Sequence, residues 1–165
     1  MNDMATPSVS LEGKNLWLAQ SLPVTPWQVL RAKLKVQFAL TAIPALVPLA
    51  CMVLVLPLTP ALPLIFVTAL SYIVFSACLG LTLGVMRANL TWTNELAPIK
   101  QSLAVAIAMF GGWAYALLLA GLYLLLGWRI GATVYLALVS AATIAAALAL
   151  LKWLKTKGAQ RLAAL

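Results

Sequence analysis

Apolar and polar positions separate into long blocks along this chain. Four runs are almost wholly apolar: 36–56 (VQFALTAIPALVPLACMVLVL), 61–86 (ALPLIFVTALSYIVFSACLGLTLGVM), 102–126 and 130–151. Polar residues gather in 1–35, in the 87–101 segment between the second and third runs, and in 152–165. At about 1.5 Å per residue a run of this length reaches roughly 30 Å, the thickness of a bilayer's hydrocarbon core. A segment in lipid must satisfy its own backbone hydrogen bonds, and four runs this long do not suit a barrel, so each predicts a helix. The expected fold is an all-α integral membrane protein. Its domains are an N-terminal segment 1–35, a four-helix transmembrane region 36–151, and a basic tail 152–165.

The polar N-terminal segment contains SLEGKNLWLAQSLPVTP, residues 10–26. Ser10 is suited to cap a helix, and Glu12 in the first turn suits the positive end of the helix dipole. Leu11, Leu18 and Leu22 fall within about 40° on a helical wheel. Trp17 lies off that stripe and suits headgroup level, while Leu16 on the far side makes the amphipathicity imperfect. These features predict a short interfacial helix over about 10–22. Leu22-Pro23 should end it in an elbow, and Thr25, Pro26 and Gln28 form a second start signal with capping-box spacing. The helix from Pro26 is expected to run through Arg31, Lys33 and Lys35 into the first span. The 10–22 helix reads equally as a membrane-surface anchor or as a docking element.

The connections differ in kind. PLTPALP, 57–63, carries three prolines and predicts a rigid turn, whereas Gly127-Trp128-Arg129 alone joins the last two spans. Pro44 and Pro48 should bend the first span.

Composition agrees with the block pattern. Of 165 residues 64% are hydrophobic and 8% charged, against about 25% charged in soluble domains. The mean hydropathy is +1.04. The net charge of +8 follows the block borders: Lys14, Arg31, Lys33, Lys35, Arg87, Lys100, Lys152, Lys155, Lys157 and Arg161 belong to one side, and Arg129 to the other. The positive-inside rule puts the first side, with both termini, in the cytoplasm of a multi-pass protein of the inner (plasma) membrane. Scattered at membrane borders without a recognition motif, these charges read as lipid-headgroup contacts, and no nucleic-acid partner is expected. The first 33 residues carry Asp3 and Glu12 and no apolar h-region, so no cleavable signal peptide is expected.

The chemistry available is sparse. No Asp, Glu, Lys, Arg or His lies within the four runs, which disfavours an ion-coupled transporter. The hydroxyls there, at Thr41, Thr68, Ser71, Tyr72, Ser76, Thr82, Ser140 and Thr143, are expected to bond their own helices. A pore would place them in one stripe, and they are scattered. Without histidine and with three acids no nucleophile–base set can be assembled, so no enzyme activity, cofactor or metal is expected. Cys51 and Cys78 read as small packing residues. Gly13-Lys14 is not a phosphate loop, which needs a glycine where Ser8 stands and Ser or Thr where Asn15 stands. Ala137, Ala141, Ala145 and Ala149 recur every four residues and suit close approach of another helix, unless they reflect alanine's general abundance in membrane helices. Gly80, Gly84, Gly111, Gly112 and Gly121 suit the same use.

SLEGKNLWLAQSLPVTPWQVLRAKL, residues 10–34, resembles an element of a bacterial group of ABC exporter permeases of the type-two exporter class. LTWTNELAPIKQS, residues 90–102, is similar to a second segment of that family, through Trp92, Asn94, Glu95, Lys100, Gln101 and Ser102. The resemblance implies a permease part of an ATP-driven exporter, with ATP hydrolysed by a separate ABC ATPase subunit. It also implies that Glu12, Gly13, Lys14, Asn15 and Trp17, with Trp92, Asn94 and Glu95, couple the membrane part to that ATPase. Family members are longer and have more spans before this point. The expectation is therefore the C-terminal portion of a permease, as a fragment or split subunit, paired with the remaining part or a second copy. The alternative is a non-transporting four-helix scaffold or assembly subunit.

Overall fold

The structure, a computed structural model, describes residues 4–13, 21, 23–55, 61–90, 92 and 102–165, without the side chain of Trp128. A short helix α1 (Pro7–Ser10) precedes α2 (Pro26–Val55) and α3 (Ala61–Met86). Next come α4 (Leu103–Leu122), continued by a π-turn over Tyr123–Gly127, and a single turn α5 (Trp128–Ile130). The helix α6 (Ala132–Trp153) runs through a second π-turn, Leu154–Gly158, into α7 (Ala159–Ala163). Four of these helical stretches are long and apolar enough to cross a membrane: Pro26–Val55, Ala61–Met86, Leu103–Gly127 and Ala132–Ala163. The protein is an all-α, multi-pass membrane protein.

The start of α2 follows its local chemistry. The Thr25 backbone N–H donates to Gln28 Oε1 at 2.8 Å, and the Gln28 N–H donates to Thr25 Oγ1 at 3.4 Å. This reciprocal pair satisfies two of the amides that a helix start leaves unpaired. Residues 23–25 lie outside any helix, as the elbow requires, and α2 continues unbroken through Arg31, Lys33, Lys35, Pro44 and Pro48. The PLTPALP turn lies partly outside the described residues, at 57–60.

Two expectations are corrected, and the expected 10–22 helix lies largely outside the described residues, at 14–20 and 22. Ser10 does not open a helix: it is the last residue of α1, and Gly13 follows with φ +44°. Gly127 does not break the chain between the last two spans either. The helix passes through it and reverses at Gly131, φ +80°, where glycine alone avoids a steric penalty. The basic tail is helical to Ala163, with Leu154 and Leu162 buried.

α3 is the central helix and packs most extensively on α6. Chain order makes the two parallel. Buried Ser71, Ala77, Cys78 and Leu81 of α3 and buried Ser140, Thr143 and Ala147 of α6 contribute small or compact side chains. Ala137, Ala141, Ala145 and Ala149 are all exposed, so the alanine ladder does not form the seam within this chain. Steps of four residues drift by about 40° each around a helix. The seam instead takes steps of three and four, at 140, 143 and 147.

Seven of the eight expected hydroxyl bonds are present; the exception is Tyr72, whose longer side chain reaches past its own helix to α4. Thr41, Thr68, Ser71, Ser76, Thr82, Ser140 and Thr143 each donate to a carbonyl three or four residues back in their own helix. Between the spans, tyrosines supply three polar contacts among the described residues. Tyr72 donates to the Gly112 carbonyl at 3.2 Å, and Tyr135 to the Leu119 carbonyl at 2.6 Å. Thr143 spends its one proton on Val139, so Tyr115, 2.6 Å away, donates to it. Tyr72 and Tyr115 also stack, with ring centroids 5.6 Å apart.

Candidate functional site

The main buried cluster lies at the end of the bundle where the two termini meet. Ala5 and Val9 of the N-terminal segment join Leu30 of α2, Cys78, Leu81 and Val85 of α3, Leu154, and Leu162 of α7. The N-terminal segment is thus folded back into the bundle end. It passes close to α3 because residue 84 is glycine: a Cβ there would collide with the Thr6 carbonyl.

Four polar contacts close this clasp. The Lys33 ammonium lies 2.7 Å from Glu12 Oε1 and donates to the Ser8 carbonyl at 2.8 Å. The Trp92 indole N–H donates to the Ser10 carbonyl at 2.6 Å, and the Asn89 N–H donates to Ser10 Oγ at 3.1 Å. The Trp92 ring lies on Gly13, where an added Cβ would approach it to 2.8 Å. Gly13 therefore answers two demands at once, a left-handed φ and an aromatic ring against its α-carbon. Glu12 is the one acid among the described residues, and its Oε2 is buried with no hydrogen-bond partner there. The ion pair is partly shielded, with side-chain exposures of 15% for Lys33 and 26% for Glu12.

Of the residues singled out from sequence, Glu12, Gly13 and Trp92 come together here. Lys14, Asn15, Trp17, Asn94 and Glu95 lie outside the described residues. Sequence reasoning missed Ser8, Ser10 as an acceptor, Lys33 and Asn89. For Lys33 a signal existed: Leu30, Lys33, Leu34 and Gln37 recur at helical spacing, and Leu30 and Gln37 are buried. Its charge was counted toward topology, while its face turns inward. Among the described residues no group of three His, Cys, Asp or Glu side chains gathers. The clasp consists of an ion pair, hydrogen bonds to backbone groups and an aromatic ring against a glycine.

No protein family, curated protein or solved structure matches the chain.

Proposed function

We propose that this chain is the membrane-spanning part of an ATP-driven exporter, and that the clasp is its receiving surface for a separate ATPase subunit. The reading is carried by one observation. Two segments about 80 residues apart, which we read as resembling permease elements, meet through the Trp92–Ser10 hydrogen bond and the Trp92 ring against Gly13. A push on either segment is transmitted to α3 through Gly84 and to α2 through Lys33, because the contacts are short and the surroundings are packed. The chain's basic end, with both termini, then faces the cytoplasm, where ATP is available.

The test is purification of the full chain from its native membrane in mild detergent. An ATP-hydrolysing subunit identified by mass spectrometry should copurify, and Trp92→Ala should release it while the transmembrane bundle keeps its melting temperature. Purified chain that hydrolyses ATP alone would overturn the proposal. So would a preparation without any ATPase, which would favour the scaffold reading.

A further inference from the structure

α2 is the least buried of the four spans: its apolar window is 6% buried, against 33% for α3. Its buried residues are Leu30 near the start, Gln37 and Leu49, while Ile43, Val47 and Leu54 are exposed. Two apolar hollows run between α2 and the α3–α6 pair. The first, about 450 Å³, is lined by Trp27, Arg31, Leu34 and Lys35 among others. The second, about 370 Å³, reaches Val67 and Leu148. Both are bounded by Phe38, Val74 and Leu151, so they form one continuous groove along the bundle's side.

The groove is charged at one end only. Arg31 and Lys35 are exposed and stand one helical turn apart at its mouth, beside Trp27. No acid lies in the lining of either hollow. Lys33, between them in sequence, points to the other side and is taken by Glu12. Among the described residues neither Arg31 nor Lys35 has an ion-pair partner. An occupant must match two cations at headgroup depth and a long apolar wall in the hydrocarbon layer.

We propose that this groove binds one anionic phospholipid, with its phosphate between Arg31 and Lys35 and an acyl chain along Phe38, Val74 and Val67. The guanidinium of Arg31 supplies paired donors to phosphate oxygens, and the Lys35 ammonium adds a point charge. Trp27 takes the interfacial position typical of tryptophan. The acyl chain covers apolar surface that α2 leaves open and holds α2 against the α3–α6 pair.

The full chain in phosphatidylcholine nanodiscs, titrated with phosphatidylglycerol and read by native mass spectrometry, tests this. One phosphatidylglycerol per chain should be retained. Arg31→Gln and Lys35→Gln should each weaken retention about fivefold, and together about thirtyfold. Lys155→Gln with Lys157→Gln removes equal charge from the same end outside the groove and should change it less than twofold. Val74→Trp should abolish retention with both cations present, and inorganic phosphate should not displace the lipid. Equal losses from the 155/157 and 31/35 pairs would mean a diffuse charged collar and would overturn the proposal. Displacement by inorganic phosphate would also overturn it. In a Cys51→Ser background, efficient crosslinking of Phe38→Cys chains to one another would show that a second copy fills the groove.

Discussion

The Lys33 ammonium lies between a carboxylate and a carbonyl, and both partners belong to a segment more than 20 residues earlier. Lys33→Met keeps the length and removes the charge, leaving Glu12 half-shielded without its cation. A loss of about 1–3 kcal/mol is expected, read as a lower melting temperature in detergent. Adding Glu12→Gln should recover part of it, because no uncompensated carboxylate then remains. Gly13→Ala meets two obstacles, the left-handed φ and the Trp92 ring. It should cost about 1–2 kcal/mol and expose the 5–13 segment to protease while the spans stay protected. At Gly84 the obstacle is a backbone carbonyl, which cannot rotate away as a side chain can. Gly84→Ala should therefore lift α1 from α3 at a cost of about 1–3 kcal/mol, seen as faster hydrogen exchange in residues 5–10.

At the scale of elements, α2 begins where its capping box sits, and that box makes a graded prediction. The bond from Thr25 N–H to Gln28 Oε1 is shorter than its reciprocal. Gln28→Ala should therefore destabilise the start of α2 at least as much as Thr25→Ala, each by about 0.5–1 kcal/mol. Hydrogen exchange of the 25–29 amides measures both. Interhelical hydrogen bonds within the bundle come from tyrosines. Tyr135→Phe frees the Leu119 carbonyl, and Tyr72→Phe frees that of Gly112. Each should cost about 0.6 kcal/mol, since such bonds are modest where the reference state also finds partners. The seam between α3 and α6 predicts a contrast on one helix. Ala147→Leu overpacks a buried position, whereas Ala145→Leu points outward and should leave the melting temperature nearly unchanged.

For the whole molecule, both terminal segments join one cluster, so residues 12 and 155 lie at one end and Arg129 at the other. Membrane-impermeant labelling of Lys155→Cys and Arg129→Cys should succeed from opposite faces of the membrane, with Lys155→Cys reached from the cytoplasm. The same reagent reaching both from one face would refute the four-crossing arrangement. Much of this was legible along the chain. The span 61–86 has the bounds its apolar run predicts, and α2 starts at the residue its capping signals mark. Length in lipid and pairing of helix-end amides are local requirements, and a linear pattern carries them. Which face each span turns inward was not legible, because spans apolar all round carry little polar contrast to orient them. The alanine ladder of α6, which suits close approach of another helix, is exposed within this chain. Only the tertiary structure placed Ser140, Thr143 and Ala147 in the seam, turned Lys33 toward Glu12, and brought Trp92 onto Gly13. Those choices depend on shape and on which distant backbone groups need a donor.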